Sequence, residues 1–409
     1  MFQWFLTICH STTNTIFETY VFEPEITFSN PKTMDQPLPI PLPVASVIDR
    51  PTFLIDKSQV IRNIQQMAAR AQRHKLHFRP HFKTHQSAEI GNWFRDFGVT
   101  SITVSSVSMA VYFASNGWDD ITIAFPLNIR EIATINELSG RIRINVLVDN
   151  SAVAEMLGEK AVGEIGVFIE VDTGHLRSGI EVQRVQQVDQ VLDVLRRYKQ
   201  LVFRGFLSHS GQTYAARSAN DVLLRHSDAL MKMRALRDQY ASVWPGIIAS
   251  IGDTPACSMA ENFDGVDELR PGNFVFYDLM QEQLGACSRS EVAGRLLCPV
   301  VSRHLTRNQV VLYGGAVHMS KEFLITGRAK KSFGTIEFCD VETGSLADDT
   351  TFVGALSQEH GIVKATFDDT RKFRIGGLTS VLPVHSCLTA DLAPYFLTTT
   401  GQRIEKMPR

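Results

Sequence analysis

A lysine in RPHFKTH, a glycine–aspartate–threonine turn in GDTP and a histidine two residues before a cysteine in PVHSC mark where residue type and spacing in this chain suggest chemistry. A lysine amine, here Lys83, condenses with aldehydes and works as a base. Gly252, Asp253 and Thr254 can offer backbone N–H groups to a phosphate, the glycine permitting close approach. A lysine facing such a cup is how a phosphorylated aldehyde cofactor would be held. His385 and Cys387 point to the same side if their segment is extended, and could then grip one Zn²⁺ and leave positions open for catalysis. The plainer alternative is a buried cysteine beside an exposed histidine. Asp391 either joins that site or caps a turn. DTGHLRSG (172–179) and HSGQTY (209–214) contribute Arg177 and Tyr214 on the rim where a cofactor ring would lie, although rim arginines usually form ion pairs. GGAVHMSKE (314–322) and SQEHG (357–361) read as supports for a site or as tight turns.

The elements that position these residues follow from periodicity. Eight β-rich runs, LHFRPHF, SITVSS, DITIAFP, RINVLVD, VFIEVD, FRGFLSH, IIASIG and DELRPGNFVF, alternate with amphipathic stretches such as VQQVDQVLDVLRRY. Near-continuous apolar strands separated by helices predict an α/β fold with a parallel sheet closed as a (β/α)₈ TIM barrel, an open doubly wound sheet being the alternative. Lys83, DTGHLRSG, HSGQTY and GDTP then all fall at the carboxyl ends of strands, the rim where such barrels carry their sites. Beyond about residue 290 the texture changes to β-rich segments without long helices, a separate C-terminal β domain. The expected division is a disordered extension at 1–38, a barrel over 39–290 and a β domain over 291–409.

With 21% charged residues, a formal charge of −2 and scattered basic residues, the chain carries no footprint for nucleic acid. Its six cysteines show no disulfide-like spacing, which points to a reducing cytosol. The apolar start MFQWFLTICH is brief, lacks a positive n-region and is not followed by a clear small-residue cleavage site, a weak match to a signal peptide, and no later segment reads as a membrane span.

Taken in order, RPHFKTH (79–85), EVDTGHLRSG (170–179), SHSGQTY (208–214), GDTPACS (252–258), ELRPGNFVFYD (268–278), SQEHG (357–361) and PVHSCLTAD (383–391) resemble the fold-type III pyridoxal-phosphate enzymes, in the D-serine dehydratase and D-threonine aldolase branch related to alanine racemase. The resemblance implies that Lys83 carries pyridoxal phosphate as a Schiff base and later acts as the base. It implies phosphate contacts from Gly252, Asp253 and Thr254, and approach to the ring by Arg177, His209 and Tyr214. Asp253 stands where the family often has serine; its backbone N–H is expected to make the contact, since a carboxylate repels phosphate. His385 and Cys387 would bind a divalent metal, Zn²⁺ or else Mn²⁺. The implied substrate is a small D-3-hydroxy amino acid, and the implied assembly a homodimer with no membrane or nucleic-acid partner. The expected activity is D-serine dehydration to pyruvate and ammonia. D-threonine aldol cleavage is the alternative, followed by racemisation or a non-catalytic cofactor-binding role.

Overall fold

The computed structural model describes residues 42–327 and 329–408, so the expected extension at 1–38 lies outside the described residues. The first ten strands are β1 (Thr52–Ile55), β2 (His77–Phe78), β3 (Ile102–Val104), β4 (Asp120–Pro126), β5 (Arg143–Val148), β6 (Ile165–Asp172), β7 (Ile180–Glu181), β8 (Leu201–Ser208), β9 (Ile248–Ile251) and β10 (Glu268–Leu269). Eight of these run parallel in the order β2-β10-β9-β8-β6-β5-β4-β3. The two ends of that sheet meet. The Thr103 N–H donates to the Pro80 carbonyl and the Phe82 N–H to the Thr103 carbonyl, each at 2.9 Å, and the sheet closes as a barrel. All eight residues of β6 are buried, as a parallel strand covered on both faces requires.

Helices cover the outside of the barrel. Several begin at a polar cap placed by the sequence: Asp56 accepts from the Gln59 N–H, Ser106 from Met109, Asn150 from Val153 and Ser218 from Asp221. Each satisfies an amide that the first helical turn leaves without an intrahelical acceptor. The helix Val185–Arg197 buries Val188, Val191, Leu192, Val194 and Leu195, the spacing of one apolar face.

The remaining strands are β11 (Gly294–His304), β12 (Gln309–Tyr313), β13 (Leu324–Ile325), β14 (Lys331–Ser332), β15 (Gly334–Asp340), β16 (Ser345–Leu346), β17 (Phe352–Leu356), β18 (His360–Lys364), β19 (Leu378–Pro383), β20 (Tyr395–Thr398) and β21 (Arg403–Glu405). Their main sheet runs β12-β18-β17-β15-β19-β11-β1-β20-β21, and β12 also pairs with β11, so part of the sheet curls into a closed ring. Pairing is antiparallel except between β1 and β20.

The alternation of sequence predicts no strand ahead of residue 76, yet β1 is one, and it lies in the C-terminal sheet between β11 and β20. Its four residues are all buried, so no exposed position breaks the run and betrays its pairing face. Phe53 of β1 packs against Phe276 and Phe396 at ring separations of 5.7 and 5.5 Å, fastening the end of the barrel segment to the second sheet. Cys257 and Cys298 are buried small core residues.

Candidate active site

The segment after β2 is anchored on both sides of Lys83. Arg79 donates through Nε to Glu268 Oε2 at 2.7 Å and through Nη1 to Asp120 Oδ1 at 2.5 Å. The Phe82 ring is wholly buried among Phe94, Phe113 and Trp118. On the other side Thr84 and His85 are wholly buried, and between these anchors Lys83 itself stays exposed at the rim. The aromatic neighbours of this lysine therefore hold its loop. They leave the amine accessible.

Burial, followed by the Lys83 and Arg270 charges, holds His81 well below the usual histidine range. Burial and the same lysine push His209 down to about 3. Both rings are neutral at ordinary pH. The His209 Nδ1–H donates to the Gly252 carbonyl at 2.5 Å, which fixes its tautomer and ties the β8 loop to the β9 loop.

Gly252 has no room for a side chain: a Cβ would stand 2.7 Å from the Arg270 carbonyl oxygen. Asp253 caps the helix Thr254–Met259, its Oδ1 accepting from the Ala256 N–H at 2.8 Å and the Thr213 hydroxyl at 2.9 Å. Burial raises its pKa. The Thr254 N–H donates to the Tyr214 hydroxyl at 3.2 Å, so Tyr214 joins the same turn, and burial raises the phenol well above its ordinary value. The Thr254 hydroxyl, and both polar atoms of the Gln212 side chain, are buried without a partner.

Arg177 and His209 share a small cleft with Glu170, Asp172, His175 and Ser178. Asp172 shapes its wall by accepting the N–H groups of Gly174, His175 and Leu176. Glu170 accepts from the Ser178 hydroxyl through Oε1, while its buried Oε2 has no partner; burial raises its pKa.

The H-x-C pair arrives from the second sheet. The expected extended segment is corrected here: β19 ends at Pro383, His385 is an extended N-cap, and Cys387 lies in the first turn of the helix Ser386–Leu392. The two side chains still lie close enough to interact, Cys387 being the main influence that raises the His385 pKa. Burial works against a charge on His385, but its bonds to Cys387 and Glu322 outweigh that and hold it up to about 11. Burial opposes the thiolate too, and the His385 bond overcomes it, leaving Cys387 below the usual thiol range. Each partner thus favours the charged form of the other, and metal binding to the pair would release a proton.

Three residues missed by sequence reasoning set this pair. Asp278 accepts the Ser386 N–H at 2.8 Å and the Asn273 amide at 2.6 Å. Asn273 Nδ2 also donates to Cys387 Sγ at 3.4 Å. Thr84 shares a hydrogen bond with Cys387 at 3.1 Å and so joins the pair to the residue after Lys83. All three lie within quoted motifs, but nothing in a linear motif says that Asp278 and Ser386 will be neighbours. Asp391 accepts from Gln86 Nε2 at 2.7 Å, a second tie to the lysine loop. Of the segments left open, GGAVHMSKE supplies Glu322, bonded to His385 Nδ1 at 2.6 Å, whereas SQEHG is the turn between β17 and β18.

These residues fit the expected groups. A buried, unpartnered Thr254 hydroxyl beside a glycine that tolerates no side chain suits a phosphate, with Lys83 exposed on the same rim. An imidazole and a thiolate suit a divalent metal. Among the described residues no set of three or more His, Cys, Asp or Glu could hold a metal ion.

Residues 55–279 match the family described as "Alanine racemase, N-terminal domain", and residues 293–399 the one described as "Putative serine dehydratase domain". The chain is 28% identical over 361 residues to D-threo-3-hydroxyaspartate dehydratase of Delftia sp. (strain HT23), covering 85% of this chain and 93% of that protein. It is 29% identical over 379 residues to D-serine dehydratase of Dictyostelium discoideum, covering 84% and 92%. Among solved structures, a cysteine-to-alanine mutant of D-threo-3-hydroxyaspartate dehydratase in the metal-free form superposes with a TM-score of 0.81 at 25% identity, over 89% of this chain and 98% of that one.

Proposed function

Because the chain belongs to the alanine racemase N-terminal domain family and continues into a serine dehydratase domain, we propose that it is a pyridoxal-phosphate- and metal-dependent lyase of D-3-hydroxy amino acids, acting as a D-serine dehydratase. The observation that carries this reading is the Thr84–Cys387 hydrogen bond at 3.1 Å, which joins the lysine loop of one unit to the H-x-C pair of the other. A cofactor carrier needs no such junction. The resemblance to dehydratases over most of the chain adds to it.

In this reading Lys83, Gly252, Asp253, Thr254 and Tyr214 hold the cofactor, with Arg177 and His209 beside its ring. His385 and Cys387 hold the metal. Pyridoxal phosphate, when bound, supplies an electron-accepting ring for the charge left at the substrate Cα, and the metal supplies a Lewis acid for the β-hydroxyl. Lys83 Nζ removes the Cα proton. Neutral His81 and His209 add no positive charge beside that amine, and His209 keeps the Gly252 turn in place through Nδ1. Loss of the Cα proton and the β-hydroxide yields an enamine, which water converts to pyruvate and ammonia.

Zinc suits the nitrogen and sulfur donors better than magnesium or calcium, which prefer oxygen. Free thiols at Cys257, Cys287, Cys298, Cys339 and Cys387 support a cytosolic setting. Among the described residues no helix is long and apolar enough to cross a membrane. A homodimer belongs to the same reading: exposed Tyr313, Val317, Phe323 and Ile325 flank the Glu322 segment and would gain from cover.

The test is a product assay on cofactor-loaded protein with D-serine and D-threonine in parallel, with and without chelator. Pyruvate and ammonia from D-serine, lost on chelation, are expected. Glycine and acetaldehyde from D-threonine, with no keto acid, would replace the dehydratase with the aldolase.

A further inference from the structure

His385 meets Glu322 as well as Cys387. Glu322 Oε2 lies 2.6 Å from His385 Nδ1, and an ionised carboxylate only accepts, so Nδ1 keeps its proton and Nε2 is the nitrogen that would give up its proton to a metal. Many half-exposed ion pairs contribute little, and this carboxylate is 42% exposed. Its placement, however, is built. Ser320 adopts a φ of 74°, a left-handed conformation that a serine takes only at a cost. In that conformation the Ser320 hydroxyl accepts the Glu322 N–H at 3.3 Å. The Thr389 hydroxyl donates to the Met319 carbonyl at 3.1 Å, docking this loop on the helix that carries Cys387. Two hydrogen bonds, 63 and 70 residues apart in sequence, thus bind one loop to the start of one short helix.

Resting on the reading that His385 and Cys387 hold a divalent metal, we propose that Glu322 is a positioning residue: it takes the Nδ1 proton, fixes the ring, and makes Nε2 the metal-binding atom of His385. Such outer carboxylates raise ligand basicity, and their loss commonly weakens metal affinity 10–100-fold.

The experiment uses the full chain loaded with pyridoxal phosphate and stripped of metal, titrated with Co²⁺ against a chromophoric chelator. The thiolate-to-cobalt absorbance reports Cys387 directly, apart from any turnover. Wild type is expected to bind with that band. Glu322→Ala should keep the band while binding roughly 10–100-fold more weakly. Glu322→Gln, equal in size but uncharged, should fall between the two. Unchanged affinity in both variants would overturn the positioning role while leaving the metal site standing. No thiolate band in wild type would overturn the metal reading itself, and this inference with it.

Discussion

Lys83 owes its exposure to its neighbours. Phe82 and His85 sink into the apolar layer on either side, and the amine stays at the rim because the loop has no freedom to fold it inward. Lys83→Ala should leave far-ultraviolet circular dichroism unchanged, abolish the visible absorbance of bound cofactor and lower kcat about 10²–10⁴-fold, the usual range for a positioned acid–base group. Retained absorbance at wild-type strength would exclude the assignment. His85 gives a pH prediction. Burial pushes its pKa from 6.5 down to about 3, so between those values the unfolded chain holds a proton that the folded chain does not. The stability associated with neutral His85 is complete above pH 6.5 and is lost as pH falls toward 3. At about pH 4.5 the loss is about 2–3 kcal/mol. His85→Leu should flatten that part of the stability curve in urea melts at stepped pH. Parallel curves for the two proteins would remove His85 as the cause.

Short elements do most of the positioning, and they are where the sequence is least legible. Most barrel strands could be read because each is an apolar run between helical patterns, although β2 shrinks from the expected LHFRPHF to His77–Phe78 and β10 from DELRPGNFVF to Glu268–Leu269. The rim motifs could be read because glycine, histidine and aspartate cluster after those runs. The helix at Ser386–Leu392 could not, since seven residues carry too little periodicity to outweigh the extended look of LPVHSC. Glu322 could not either, because its partner is 63 residues away. Asp278 illustrates the same limit: a single carboxylate caps the helix Leu279–Leu284 and accepts the Ser386 N–H from the other sheet. Asp278→Ala removes these two bonds and the one from the Asn273 amide in a fully buried place, and should cost about 2–4 kcal/mol. It should also weaken Co²⁺ binding while sparing the cofactor absorbance. Loss of the absorbance together with the metal would show that Asp278 supports the barrel rim rather than the H-x-C turn.

At the scale of the whole molecule, the order of elements makes the two units depend on each other. β1 comes before the barrel in sequence but hydrogen-bonds to β11 and β20 after it, so the second sheet cannot complete its ladder until the chain has gone round the barrel. Phe53, Phe276 and Phe396 mark that junction, with no ring pair more than 5.7 Å apart and all three wholly buried. Phe53 also touches the site indirectly, since Phe276 lies in the segment that leads to Asp278 and so to the H-x-C helix. A junction that carries both the apolar contact and the path to the metal pair should unfold as one unit. Calorimetry is therefore expected to give a single transition, and Phe53→Ala, which empties a fully buried aromatic site, should lower stability by about 3–5 kcal/mol without splitting it. Two resolved transitions in wild type, or a variant in which the barrel melts unchanged while only the second sheet loosens, would show that the units fold independently and that the Lys83 loop and the H-x-C pair meet by docking rather than by shared folding.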